Sequence, residues 1–163
     1  MSQNISITTI QALKELEGRE IGLSDWVEID QARINQFAEA TGDKQFIHID
    51  ADAAAGTFFG GTVAHGYLTL SLIPMLDRER SGIQIDLGER MIVNYGLNRV
   101  RFPSPVPSGS RVRLRTQLNS VEQVDETAIQ LTQLQTIEAE GADKPACVAE
   151  TITRLYFDNE LTA

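Results

Sequence analysis

Both histidines of this chain, His48 and His65, lie in one stretch, residues 37–74, together with Asp43, five residues before the first of them. A carboxylate and an imidazole with four residues between them can be brought by a short turn to either side of one water molecule. That pairing suits general acid and base work. Gly60 and Gly61 then break the chain, and Gly66 follows His65 at the head of a long apolar run. Backbone N–H groups in the first turn of a helix have no partner inside it. Gly66 placed there offers a donor to a developing oxyanion, and its missing side chain lets a substrate approach closely.

The elements that must position these residues can be read from pattern. Asp30 followed by Ile34, Phe37 and Ala38 predicts a capped amphipathic helix, and Gly42 ends it, so that Asp43 is presented in a loop running to His48. Residues 65–76 are apolar almost without interruption, too short to span a membrane, and read as one helix buried on every side until the chain returns to water at Asp77. Upstream, Thr9 can cap a short packing helix with Ile10, Leu13 and Leu16 on one face and Gly18 at its end. Residues 24–29 read as a brief strand anchored by Trp26, and residues 50–60, with Asp50, Asp52 and the small run Ala53 to Ala55, as holding another helical turn. After Arg80 the pattern changes to strands, over residues 90–102, 111–124, 127–137 and 146–157. Alternation is sharpest where Val112, Leu114, Thr116 and Leu118 share one face and Arg111, Arg113 and Arg115 the other. One buried helix followed by a meander of long strands predicts an α+β protein, an antiparallel sheet wrapped round a central helix.

The run ATGDKQFIHID, followed by GGTVAHGYLTLSLIP, resembles the hydratase motif of the MaoC-like (R)-specific enoyl-CoA hydratases, proteins with the hot-dog fold. A second block, VRFPSPVPSGSRVRL at residues 100–114, resembles the strand and Pro-rich loop that these proteins carry after their central helix. With the preceding WVEIDQARINQFAEATGD the likeness covers most of residues 20–120, and it is nearest to the branch of nodulation protein N. The resemblance implies reversible addition of water to trans-2-enoyl thioesters, giving (R)-3-hydroxyacyl thioesters. It further implies Asp43 and His48 as the catalytic dyad, the Gly66 amide as part of an oxyanion hole, no metal or redox cofactor beyond the coenzyme A of the substrate, and a homodimer. The substrate would be an acyl-CoA or acyl-carrier-protein thioester. Gln45 and Phe46 stand where many members have Asn-Pro, and Pro74 where some have serine. Tyr67, Asn98 and Arg99 are further substrate-binding candidates, with Tyr95 a possible pocket residue. A hot-dog thioesterase and a non-catalytic acyl-CoA binding protein are the alternative readings.

Bulk properties narrow the function classes. At 163 residues and 42% hydrophobic the chain suits a single domain over residues 1–163. A net charge of -9 argues against a nucleic-acid partner. A lone cysteine, Cys147, cannot form an internal disulfide, and the first 18 residues show neither a basic start nor a long apolar core, so a cytoplasmic protein is expected. Cys147 falls in a strand and reads as packing. A metal site from His48, His65 and Asp50 or Asp52 matches no recognised ligand spacing. The glycines at 60, 61 and 66 lack the βαβ setting of a dinucleotide site. Five arginines at 99, 101, 111, 113 and 115 suit coenzyme A phosphates, although the last three alternate as the solvated face of a strand would.

Overall fold

The computed structural model describes residues 5–161. The first four residues of the N-terminal stretch read above fall outside the described residues. Thr9 caps helix α1 (Ile10–Lys14) by accepting from the Ala12 N–H at 3.2 Å, and Leu13 is buried beneath it. Asp30 caps α2 (Gln31–Thr41) through the Arg33 N–H at 2.8 Å. Gly42 ends that helix in the left-handed region, at φ 78°, which a side chain would oppose. Two one-turn helices follow, α3 (Phe46–Ile49) and α4 (Ala51–Ala55), with Asp50 capping the second.

The apolar run forms two helices, α5 (Gly66–Ser71) and α6 (Ile73–Arg78), rather than the one expected. Pro74 is the reason: it has no N–H to give to the carbonyl four residues back, and it is at home only in a first helical turn. Nor is the run buried on every side. Leu68, Leu72, Ile73 and Leu76 face the core, while Tyr67, Ser71, Pro74 and Arg78, spaced by three or four residues, form an exposed stripe.

The sheet comprises β1 (Ile5–Ile7), β2 (Glu20–Leu23), β3 (Val27–Ile29), β4 (Ser81–Ile85), β5 (Met91–Arg101), β6 (Ser110–Asp125), β7 (Ala128–Ala139) and β8 (Cys147–Tyr156). Its order is β1-β4-β2-β6-β7-β8-β5, with β3 on β6, antiparallel throughout except for the parallel β1–β4 pair. The long strands lie where alternation predicts them. Inward residues of β6 are Val112, Leu114, Thr116 and Leu118, all fully buried. The sheet curls round α5 and α6, the hot-dog arrangement. Trp26 does not anchor the core; it lies half-exposed on the outer face, with the Arg113 guanidinium 4.5 Å from its ring centroid.

Candidate active site

Three side chains from separate elements meet at the head of α5. One potential ligand atom each of Asp43, His48 and His65 lie within 4.8 Å of one another; both rings are buried and Asp43 is exposed. The imidazoles stack, with centroids 3.7 Å apart and planes 26° from parallel, and Phe37 of α2 packs against the His65 ring at 5.0 Å.

Hydrogen bonds fix the chemistry of each ring. His48 Nδ1 lies 2.7 Å from the Val63 carbonyl oxygen. A carbonyl can only accept, so Nδ1 carries the proton of the neutral ring and Nε2 keeps its lone pair as a base. His65 Nε2 is 2.9 Å from the Asp43 carbonyl and donates to it by the same reasoning, so His65 holds the backbone that presents the carboxylate. Its Nδ1 is buried and has no partner among the described residues. His48 is not in an open loop, as sequence suggests, but on α3, where its N–H bonds to Gln45 O at 3.0 Å. Phe46 takes the first helical position, where the proline of the resembling motif would also fit.

Gln31 was not singled out by sequence, yet its side chain ties the site together. Its amide donates to the His48 carbonyl at 2.7 Å and its oxygen accepts from Thr62 Oγ1 at 2.6 Å, joining α2, α3 and the loop before α5. A glutamine in the first turn of a helix three turns long carries no signal of this by itself.

Gly66 is the first residue of α5, so its N–H has no acceptor inside the helix. A Cβ there would come 3.1 Å from the Phe102 ring, closer than ordinary contact. Tyr67, 70% exposed, meets Phe102 edge to face with centroids 6.2 Å apart. Asn98 and Arg99 lie on β5 at the sheet edge; the Asn98 amide donates to Glu150 at 2.7 Å, and Arg99 is exposed. Of the five arginines, Arg111 pairs with Glu140, Arg113 with Glu138, and Arg115 with Glu20 and Glu138, so these three are occupied on the outer face. Hydrogen bonding to Glu140 and to Glu20 and Glu138 raises the Arg111 and Arg115 guanidinium pKa values. Cys147 is fully buried, which pushes its thiol up to about 11, far from a nucleophile at neutral pH.

The Asp43, His48 and His65 cluster has ligand chemistry for a metal, but the ring geometry does not suit one ion. Imidazole lone pairs lie in the ring plane, and rings stacked face to face direct them along separate planes instead of to a common point. A water fits better. A carboxylate oxygen and an imidazole nitrogen within 4.8 Å can each make a bond of about 2.8 Å to one oxygen placed between them.

A curled sheet round a broken helix, with a carboxylate and two imidazoles gathered at the start of that helix, defines a hot-dog protein with acid and base groups at the head of its central helix. The model of the MaoC like domain matches residues 13–140, and the chain belongs to that family. It is 47% identical over 146 residues to 3-hydroxyacyl-thioester dehydratase Z of Mycobacterium tuberculosis, covering 90% of this chain and 95% of the relative. It is 44% identical over 142 residues to nodulation protein N of Rhizobium leguminosarum bv. viciae, covering 86% and 87%. Among solved structures, the (R)-hydratase from A. caviae involved in PHA biosynthesis superposes with a TM-score of 0.63 at 23% identity, over 83% of this chain and 96% of that one. No helix among the described residues is long and apolar enough to cross a membrane.

Proposed function

We infer that the chain is an (R)-specific hydratase and dehydratase of acyl thioesters, adding water across the 2,3 double bond of a trans-2-enoyl thioester and removing it in reverse. The observation that carries the mechanism is the His48 Nδ1 to Val63 bond, which leaves the Nε2 lone pair free to act as a base in a cluster where one ring nitrogen of His48 and a carboxylate oxygen of Asp43 lie within 4.8 Å, room for one water between them. The dyad takes a proton from that water as its oxygen bonds to C3. Electrons move into the thioester carbonyl, whose oxygen becomes an enolate held by the Gly66 N–H, and the dyad returns a proton to C2. No step calls for a metal or redox cofactor.

Tyr67 and Phe102 flank Gly66 and form the edge over which the thioester enters. Arg99, exposed on β5, suits a phosphate of coenzyme A or of a carrier-protein arm. Among the described residues no strand lies beyond β5, which exposes Met91, Ile92, Tyr95 and Leu97, the profile of a strand that pairs with a second copy. This edge supports a homodimer, and light scattering that finds a monomer would overturn it. The setting is cytoplasmic, matching a thioester substrate.

Loss of enoyl absorbance from crotonyl-CoA, coupled to an enzyme specific for (R)-3-hydroxyacyl-CoA, tests the reaction. Release of free thiol without hydration would instead favour a thioesterase, and binding of the ester without either reaction a binding protein.

A further inference from the structure

The core is not continuous. One apolar cluster gathers round Leu114, Ile137 and Ala149, a second round Leu118, Leu131 and Leu155. Between them a polar belt crosses the inner face of the sheet: Thr116 on β6 and Gln133 and Gln135 on β7, exposed 0%, 5% and 2%. Asp77 and Arg80, at the end of α6, close over it. Part of the belt is satisfied internally. Thr116 Oγ1 lies 2.8 Å from Asp77 Oδ1 and 2.8 Å from Gln135 Oε1, and Arg80 Nε donates to Asp77 at 2.8 Å. Arg80 Nη1 donates to the Ile21 and Ile83 carbonyls.

Gln133 is different. Its side chain is buried and makes no hydrogen bond among the described residues. Its registered neighbour on β8 is Thr151, whose Oγ1 is buried and has no partner among the described residues. Both residues line a cavity of about 440 Å³ under α6. That cavity shares Ile73, Pro74, Asn94 and Thr151 with a second of about 410 Å³, which reaches back to Leu70, one helical turn from Gly66. A path therefore runs beside α5 and α6, apolar at Leu70 and Leu97 and polar at Gln133 and Thr151. At 1.5 Å per residue the polar part lies about 10–16 Å from Gly66.

We propose that this path takes the acyl chain, and that its polar part selects a chain bearing a neutral hydrogen-bonding group, a hydroxyl or an oxo group, several bonds beyond the thioester. An all-hydrocarbon tail would strip water from Gln133 and Thr151 and give nothing back; a hydroxyl satisfies both. The group is neutral because the charged residues of the lining sum to zero: Arg80 is paired with Asp77, and the other two, Arg78 and Glu89, carry opposite signs. The inference rests on the thioester reading above.

The test uses non-reacting saturated acyl-CoA pairs of matched length, plain or carrying a hydroxyl or oxo group stepped along the distal chain, titrated by calorimetry into the full-length protein. At least one polar ester is expected to bind about tenfold tighter than its plain counterpart, the effect of one or two buried hydrogen bonds. Gln133→Leu should abolish or invert that preference, and Thr151→Val, nearly isosteric, serves if the first variant does not fold. Plain esters binding as tightly as every polar one, or a preference unchanged in the folded variants, would overturn the proposal and leave the cavity to water. Crotonyl-CoA hydration is measured alongside: its absence, with the polar preference intact, would count against the reaction but not the cavity.

Discussion

Replacing either member of the dyad should abolish most activity, but the two replacements should differ in their effect on stability. Asp43 is exposed, and its carboxylate makes no hydrogen bond within the described structure. Asp43→Asn therefore keeps the fold and the melting temperature while removing a proton acceptor. General acid and base groups contribute about 10²–10⁴-fold, so kcat should fall by that factor, about 3–5 kcal/mol of barrier. His48→Ala removes as much catalysis and also unpairs the buried Val63 carbonyl, which costs about 1–3 kcal/mol, besides the ring stacked on His65. In a chain of this length that lowers the melting temperature by roughly 2–4 °C per kcal/mol. His48→Asn separates the two roles, since its amide can still donate to Val63 but supplies no basic nitrogen. It should recover stability and not turnover. The assays are enoyl-CoA absorbance and thermal unfolding on the same preparations. Turnover within about tenfold of wild type in Asp43→Asn or His48→Asn would refute the assignment of the dyad.

Two further outcomes follow from contacts elsewhere. Gly66→Ala places a methyl 3.1 Å from the Phe102 ring and displaces ring or helix start; kcat should fall by about 10²-fold, the scale of one lost oxyanion donor, with an unchanged kcat counting against the Gly66 N–H. Burial pushes the Glu138 carboxyl up, but hydrogen bonds from Arg113 and Arg115 more than offset this and hold it below its ordinary 4.5. A depressed folded pKa means stability that is present above the unfolded value and lost as pH falls through the folded one. Urea unfolding should show an acid limb below pH 4.5 that is shallower in Glu138→Gln by up to about 1 kcal/mol; identical limbs would show that the pair contributes nothing.

How much of this was legible in sequence depends on whether the signal was local. Asp30 and Gly42 bracket α2 by cap chemistry that acts within four residues, and Val112, Leu114, Thr116 and Leu118 alternate over a strand long enough to declare itself. The short strands β1, β2 and β4 have three to five residues each and exist because β6 and one another supply their partners. No local pattern could reveal them. The break in the central helix was legible, since a proline at the tenth position of the apolar run forfeits one ladder bond, but the run's hydrophobicity outweighed it in the sequence reading. At the site, sequence supplied the dyad candidates, Gly66 and a structural role for His65 beside the turn; the supports from Gln31 and Val63 are long-range bonds, spanning 15 to 31 positions, with no sequence signature.

Gln133 and Gln135 show a further kind of signal, visible but without meaning until the fold is known. They occupy alternate positions between Leu131 and Ile137, on the face that the pattern assigns to the core. Taken alone, two glutamines there would demote the strand or mark a fault in its register. In the folded chain the strand is in register and the amides are buried, so the polarity belongs to the interior. A protein that needed only stability would fill that gap with leucine. The α5 and α6 pair runs past both features, with the Gly66 N–H at one end and Asp77 and Arg80 over the belt at the other. One broken helix can thus fix the reacting carbonyl and, about 16 Å along, test what the rest of the acyl chain carries.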